Sequence, residues 1–118
     1  MTAVRVLIVD DHDGFRAAAT ALLTTPTFEV VGSVADGESV VAAVHSLAPD
    51  VVLVDVQLPG IDGVEVAEIL HRLPHAPAVI LISSRDDAAD DERIRQAPVL
   101  GFVAKRDLDV SALEVLLP

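Results

Sequence analysis

Three features of this 118-residue sequence predict an α/β fold, with a parallel sheet covered by helices on both faces. Segments rich in Val, Ile and Leu alternate five times with segments of helical spacing, a pattern that forms right-handed strand-helix-strand units. The apolar segments are nearly continuous, which is typical of strands buried on both faces. The chain is long enough for one domain with its own core, and it has no cysteine, so disulfides and thiolate-bound metals are excluded.

The first two strands differ in character. The first is the apolar run at 6–9, which ends at Asp10 and Asp11, and Asp13 is the predicted N-cap of the helix that follows. The second strand is more mixed and contains Gly32, so we expect it at an edge of the sheet. The apolar face of the first helix is predicted to comprise Phe15, Ala18, Ala19 and Leu22.

The last three strands are the apolar runs at 51–54, 79–82 and 101–104, and each ends at a polar residue. A turn at 48–50 leads into the first of these runs, and the segment 60–63 is predicted to form a turn and the cap of the third helix. The polar residues that end the three runs are, in order, Asp55, Ser83 and Lys105.

The fourth helix has the weakest pattern, because only Ala88, Ala89 and Ile94 can anchor it. Its acidic opening suits the positive end of a helix dipole and predicts a solvated first turn, with a mobile or partner-facing segment as the alternative. Pro98 excludes helix at its own position. Strands are predicted near 4–9, 28–34, 50–55, 78–83 and 100–104, and helices near 14–24, 38–47, 63–72, 87–96 and 108–117.

The polar residues at the strand ends predict a magnesium-dependent phosphoryl-acceptor site. Parallel strands end at one edge of the sheet, where ligand sites of such folds lie, so Asp10, Asp11, Asp55, Ser83 and Lys105 should converge. Three carboxylates require a neutralising cation, and an oxygen-only site favours Mg²⁺. Asp55 could act as a nucleophile toward phosphorus, with Lys105, the only lysine, and Ser83 neutralising the phosphoryl oxygens. The structural alternatives are turn formation and helix capping.

The composition argues against nucleic acid and membranes as direct partners of this chain. The net charge of −11, from 19 acidic and 8 basic residues, argues against direct contact with nucleic acid. No apolar stretch approaches the roughly 20 residues that cross a bilayer, and no leader is apparent, so we expect a cytoplasmic protein without a membrane partner. The four histidines have no paired ligand spacing, although His12 adjoins the acid pair.

The ordered motifs resemble a receiver domain of a bacterial two-component response regulator. The likeness runs from Val-Leu-Ile-Val-Asp-Asp-His at 6–12, through 54–63, to Gly-Phe-Val-Ala-Lys at 101–105. The Asp-Asp-His opening and the segment after Lys105 are similar to the NarL/FixJ branch, whose receivers usually precede a helix-turn-helix DNA-binding domain. The resemblance implies a doubly wound, flavodoxin-like sheet in the order 2-1-3-4-5 with five helices, and a single receiver domain over 1–118 without an output domain.

The resemblance also implies a function in phosphorylation-dependent signalling. Asp55 would accept a phosphoryl group from a sensor histidine kinase, and the resulting change of conformation would control an output domain or partner in transcription regulation. Such a domain catalyses only its own phosphorylation and dephosphorylation. Homodimer formation and a helix-turn-helix output domain in a longer protein are the further partners implied.

Residue roles follow from the same resemblance. Ser83 and Lys105 would contact the phosphoryl group, and Phe102 would change orientation when Ser83 is drawn toward it. The implied magnesium ligands are the carboxylates of Asp11 and Asp55, the backbone carbonyl of Gln57, and Asp10 through water.

Two other functions are compatible with parts of this pattern. A pseudo-receiver would be an interaction module without phosphorylation, but such modules lose an acid or the lysine, and none is missing here. A magnesium phosphohydrolase of the haloacid dehalogenase kind also uses a strand-end Asp as nucleophile. It requires a second acid two residues later, where this chain has Gln57.

Overall fold

The computed structural model describes residues 2–85 and 87–118, without the side chain of Ala89. Its strands form one parallel sheet in which the second strand lies at an edge, and the order 2-1-3-4-5 confirms the prediction. Every strand boundary lies within one residue of its predicted position. The strands are β1 (Val4–Val9), β2 (Phe28–Val34), β3 (Val51–Asp55), β4 (Ala78–Ser83) and β5 (Gly101–Ala104).

Helices follow the strands in the predicted alternation. Two 3-10 turns, Ala88–Asp90 and Lys105–Asp107, precede the last two helices. Within the described part of the chain, every helix is too short or too polar to cross a bilayer. The helices are α1 (Asp13–Leu23), α2 (Val40–Leu47), α3 (Gly63–His71), α4 (Glu92–Gln96) and α5 (Val110–Leu116).

The sheet separates two apolar cores, which explains the continuous apolar runs. Successive side chains of a strand point to opposite faces, so Leu7 and Val9 of β1 enter one core while Val6 and Ile8 enter the other. The first core is closed by α2, α3 and α4, and the second by α1 and α5. Both faces of the central strands are therefore buried, and their ends are held in fixed positions.

The start of α1 differs from the prediction. His12 is the N-cap residue and Asp13 is the first residue of the helix, where its side chain pairs with Arg16 instead of capping. The reason is the turn that follows β1, because the buried carboxylate of Asp10 accepts a hydrogen bond from the backbone N–H of His12 at 2.8 Å. The predicted cap at Asp13 is therefore wrong.

The buried face of α1 is also rotated from its predicted position. Leu23 is fully buried, whereas Leu22 is 45% exposed. Leu23 lies one helical turn after Ala19, which is 2% exposed, so these two residues form the contact with the sheet.

The predicted fourth helix at 87–96 is in fact divided. The 3-10 turn ends before Asp91, whose backbone is extended. The carboxylate of Asp91 accepts the N–H of Arg93 at 2.8 Å and caps a separate helix, α4. Ala97, before Pro98, is also extended, so α4 has only five residues. Ala88 and Ile94 are buried as predicted, and the anchoring role of Ala89 lies outside the described side chains.

The fifth helix begins later than the predicted position 108. Asp109 is extended, and its carboxylate accepts the N–H of Ala112 at 2.7 Å, so the helix starts at Val110. Leu113 of this helix is fully buried. The cap therefore separates α5 from the 3-10 turn that contains Lys105.

The turn before α3 forms as predicted and connects the helix to the site. Gly60 has a φ of 74°, which glycine adopts without strain, and Asp62 forms a capping box with Glu65. A β-carbon on Gly63 would overlap the carbonyl oxygen of Asp55 and lie 2.8 Å from the Cα of Val56. The start of α3 therefore packs directly on the backbone at Asp55.

Gly63→Ala is expected to lower the free energy of unfolding by about 2 to 3 kcal/mol, because neither backbone can move without disturbing the core. Gly14→Ala is the matched control. Nothing lies within 4 Å of a β-carbon at this position in α1, so alanine should stabilise the protein by up to about 1 kcal/mol. Urea denaturation measures both. Equal effects of the two substitutions would contradict the close packing at Gly63.

Candidate functional site

Sheet register brings the predicted site residues together at the carboxyl edge. Val9 of β1 is level with Val54 of β3, so Asp10 and Asp55 follow at the same height on neighbouring strands. Asp55 is level with Ile82 of β4, and Ser83 is level with Ala104 of β5. Since β1, β3 and β4 are each paired on both sides, the polar residues at their ends have little freedom of position, whereas Lys105 follows the edge strand β5.

Lys105 joins the two central carboxylates. Its Nζ atom lies 2.6 Å from Oδ2 of Asp10 and 3.0 Å from Oδ2 of Asp55. The contact with Asp10 is an ion pair without hydrogen-bond geometry, whereas the contact with Asp55 is a hydrogen bond. The ammonium also lies 4.4 Å from the centre of the Phe15 ring, a cation–π contact from α1. The only lysine of the chain is therefore the counter-charge that two buried acids share.

Backbone amides fix one oxygen of each of these carboxylates. Oδ1 of Asp10 accepts the N–H of His12 at 2.8 Å, and Oδ1 of Asp55 accepts the N–H of Gln57 at 2.9 Å. Arg16 donates to the carbonyl oxygen of Asp10 at 2.7 Å, which ties α1 to the end of β1. The two Oδ2 atoms are left to face Lys105.

Asp11 and His12 complete an acidic cluster beside this pair. One ligand atom from each of Asp10, Asp11, His12 and Asp55 can be chosen so that all lie within 4.8 Å of one another. Asp10 and Asp55 are buried, whereas the side chain of Asp11 is 35% exposed and that of His12 is 69% exposed. The cluster is closed toward the core and open toward solvent.

The surroundings affect the two buried acids differently. Burial raises the pKa of Asp55 above the ordinary 3.8, the charge of Asp10 adds to this, and contacts with Gln57 and Lys105 only partly offset it. Burial acts on Asp10 in the same direction, but its contacts with Lys105 and His12 outweigh burial and lower its pKa. Burial opposes the charge of Lys105, yet the two carboxylates raise its pKa. Asp10 therefore retains its charge more firmly than Asp55.

The donor set suits a hard dication. Three carboxylates and one imidazole lie together on the side open to solvent, and the single ammonium of Lys105 leaves part of their negative charge unbalanced. Oxygen-rich sites that keep room for water favour Mg²⁺. The residues that could hold such an ion are Asp10, Asp11, Asp55 and His12.

Ser83 ends β4, the strand next to that of Asp55, and Phe102 lies one strand further, on β5, level with Leu81. Ser83 is fully buried, and its hydroxyl accepts the N–H of Arg85 at 3.1 Å. Phe102, on β5, is half-buried and lines surface cavities on two sides. One, of about 450 Å³, also includes Arg85 and Leu116, and the other, of about 360 Å³, includes Ile94.

Sequence reasoning missed two residues that support the site. Phe15 was predicted only as part of an apolar helix face, but it also lies under the ammonium of Lys105. Arg16, whose side chain is 18% exposed, holds the backbone of Asp10. Phe15 and Arg16 both lie in the first turn of α1, shortly after Asp10 and Asp11. This closeness to the acid pair was the only feature of the sequence that could have indicated their role.

Comparison with known proteins agrees with this geometry. The family model of the response regulator receiver domain matches residues 6–115. Among solved structures, the signal receiver domain of NarL from Mycobacterium tuberculosis superposes with a TM-score of 0.85 at 30% identity and covers 98% of each chain. This likeness includes the entire sheet and therefore the strand ends that carry the site.

Two curated relatives that match most of this chain have different functions. The DNA-binding transcriptional activator EvgA of Escherichia coli (strain K12) is 32% identical over 104 residues, which are 88% of this chain and 51% of EvgA. A protein-glutamate methylesterase/protein-glutamine glutaminase of Geobacter sulfurreducens is 38% identical over 116 residues, which are 94% of this chain and 30% of the relative. The chain thus spans half or less of the length of these proteins.

This chain matches part of a transcriptional activator and part of a methylesterase/glutaminase, so it resembles a module that occurs in proteins of different output function. The family model extends over nearly all of the sequence, and the sheet order agrees with it. The predicted resemblance is confirmed: the chain belongs to the family of response regulator receiver domains.

Proposed function

We propose that this domain accepts a phosphoryl group on Asp55 from the phosphohistidine of a sensor histidine kinase, in a reaction that depends on Mg²⁺. The observation that carries the proposal is the ammonium of Lys105 between two buried carboxylates, with Asp11 beside them. A purely structural ion pair would match one carboxylate with one ammonium. Here a single ammonium faces two buried carboxylates with a third nearby, and a dication would balance the remaining negative charge.

The magnesium ligands proposed are the carboxylates of Asp11 and Asp55, the backbone carbonyl of Gln57, and Asp10 through water. When bound, the ion would neutralise charge on the phosphoryl oxygens. The donor set of the described residues fits this role, since the acids surround one space that is open to solvent.

Asp55 is suited to act as the nucleophile. Its Oδ1 is held by the N–H of Gln57, so Oδ2 is the atom that would attack phosphorus. The new Oδ2–P bond forms as the P–N bond of the phosphohistidine breaks, and the imidazole leaves with the bonding electron pair. Lys105 already contacts Oδ2, so its flexible side chain can follow the negative charge onto the phosphoryl oxygens.

The proposed switch uses Ser83 and Phe102. After phosphorylation, the Ser83 hydroxyl, which now accepts the N–H of Arg85, would donate its own hydrogen to a phosphoryl oxygen, and the rotation toward that oxygen would change the backbone contact before α4. The cavities on two sides of Phe102 provide the space in which its ring can reorient. The short α4 is held by few buried residues and is the element most readily displaced.

The domain would transmit this change to another part of a longer protein or to a partner. We propose an output in transcription regulation, through a helix-turn-helix domain or a homodimer, since the relative EvgA is a DNA-binding activator of which this chain matches about half. The net charge of −11 assigns nucleic-acid contact to another domain. On this proposal, residues 1–118 are the receiver unit alone.

Intact-mass spectrometry after incubation with acetyl phosphate tests the proposal. We expect one phosphoryl adduct with Mg²⁺ and none when the ion is removed with EDTA. Borohydride reduction followed by peptide sequencing should place the acyl phosphate at Asp55. Absence of an adduct with Mg²⁺, or its location at another residue, would overturn the assignment and favour an unphosphorylated interaction module.

A further inference from the structure

The imidazole of His12 lies within the acidic cluster instead of pointing away from it. Its Nδ1 atom is 3.1 Å from Oδ1 of Asp10 and 3.2 Å from Oδ1 of Asp11. The position is determined by the backbone, since the His12 N–H is bonded to Asp10 and the residue is the extended N-cap of α1. The ring is therefore held where the helix begins.

The distance to Oδ1 of Asp11, a proposed direct ligand, is that of neighbouring ligands around one metal ion. Two ligand atoms at right angles, each about 2.1 Å from an octahedral ion, are separated by about 3.0 Å. Nδ1 has hydrogen-bond geometry toward Oδ1 of Asp10 and lies almost as close to Oδ1 of Asp11, so the ring nitrogen faces both carboxylates. One ligand atom from each of Asp10, Asp11, His12 and Asp55 lies within 4.8 Å of the others.

Within the proposed dication site, on which this inference rests, we propose that His12 is a direct nitrogen ligand and that the site therefore binds transition-metal dications such as Mn²⁺ and Ni²⁺ more tightly than Mg²⁺. Imidazole is a good ligand for these ions, whereas Mg²⁺ prefers oxygen ligands. The three carboxylates alone would bind both kinds of ion, so the nitrogen is the feature that distinguishes them.

The exposure of the site fits this assignment. Asp10 is fully buried and its Oδ2 lies 2.6 Å from Nζ of Lys105, so the inner part of the site is held in place. His12 is on the solvent side, with 69% of its side chain exposed, and it can close over an ion that enters from there. His45 lies on α2, is exposed, and stands outside the cluster, which makes it a suitable control.

Electron spin-echo spectroscopy of Mn²⁺ added to the untagged chain tests the inference directly. Because a coordinated imidazole modulates the Mn²⁺ echo through its nitrogen nucleus, we expect this modulation in the wild type and in His45→Gln, and its loss in His12→Gln. Calorimetry at a pH of about 8, where imidazole is neutral, should show that His12→Gln weakens Ni²⁺ binding at least about ten-fold and changes Mg²⁺ binding by less than two-fold.

The outcomes distinguish this inference from the proposed function. Bound Mn²⁺ that Mg²⁺ displaces, but that shows no imidazole modulation, would overturn the role of His12 and leave the phosphoryl-acceptor site intact. Equal losses of Ni²⁺ and Mg²⁺ affinity in His12→Gln would overturn it too, because the residue would then only position the acids. Failure of any dication to bind, together with no phosphoryl adduct, would overturn both proposals.

Discussion

Asp55→Asn is expected to abolish phosphoryl uptake completely and, without metal, to raise the free energy of unfolding. The amide is a far weaker nucleophile than the carboxylate, so intact-mass spectrometry with acetyl phosphate and Mg²⁺ should detect no adduct. Burial and the charge of Asp10 oppose ionisation of Asp55 and raise the pKa of this carboxyl. The neutral amide avoids this unfavourable ionisation, so the free energy of unfolding should rise. We therefore expect that the ionised side chain of Asp55, the proposed nucleophile, lowers the free energy of unfolding of the metal-free protein.

The pH dependence of this gain has a definite sign. The cost of the ionised Asp55 is fully present above its raised folded-state pKa, and it disappears as the pH falls through that pKa toward the ordinary 3.8. Urea denaturation in EDTA should therefore show the largest advantage of the variant at neutral pH and little advantage below about pH 4. The exposed Asp107 supplies the control substitution Asp107→Asn, for which we expect no such trend. An adduct on Asp55→Asn equal to that of the wild type would contradict the phosphoacceptor assignment.

Lys105→Met is expected to lower the free energy of unfolding by about 3 to 5 kcal/mol at neutral pH, because two buried carboxylates lose their counter-charge. Methionine keeps the length and apolar contacts of the lysine stem, so the loss reports mainly on charge. Arg95→Met is the matched comparison. Arg95 pairs with Glu92 at 2.6 Å on the surface, where both side chains are more than half exposed, and such pairs contribute at most about 1 kcal/mol.

The deficit of Lys105→Met should shrink in acid. In the wild type the pKa of Asp10 is lowered, so its stabilising contribution is present above the ordinary 3.8 and is lost as the pH falls through the lowered value. The raised pKa of Lys105 means that its contribution is present below 10.5 and is lost as the pH rises through the folded-state value. Urea denaturation at neutral and acidic pH measures the difference. A deficit as small as that of Arg95→Met would show that the pair contributes little to stability.

Added Mg²⁺ offers a second measurement on the same variant. If the dication binds among the carboxylates, it should restore part of the stability lost in Lys105→Met, because it supplies the missing positive charge. Mg²⁺ should raise the free energy of unfolding of Asp11→Asn by less, since that substitution removes a proposed ligand. No change in either variant would argue against a cation site at this edge of the sheet.

The strands and the site residues at their ends could be predicted because burial on both faces leaves a strong local signal. Each apolar run appears as a strand within one residue of its predicted bounds, and Asp10, Asp55 and Lys105 come into contact. The helices were less predictable. Asp91 and Asp109 look like ordinary acids of a helical segment, and only the folded chain shows that their carboxylates accept backbone N–H groups and begin new helices.

The chain sequence alone determined which chemical groups lie at the carboxyl edge, because alternation of apolar strands with helices predicts a parallel sheet, in which all strands end at one edge. Distances and protonation preferences depended on the packing of α1 and of the turns beyond β1 and β5. They set Lys105 between Asp10 and Asp55, placed Phe15 beneath it, and brought His12 to the acids. These contacts join residues up to 95 positions apart, between Asp10 and Lys105, and no local pattern encodes a distance over such a separation.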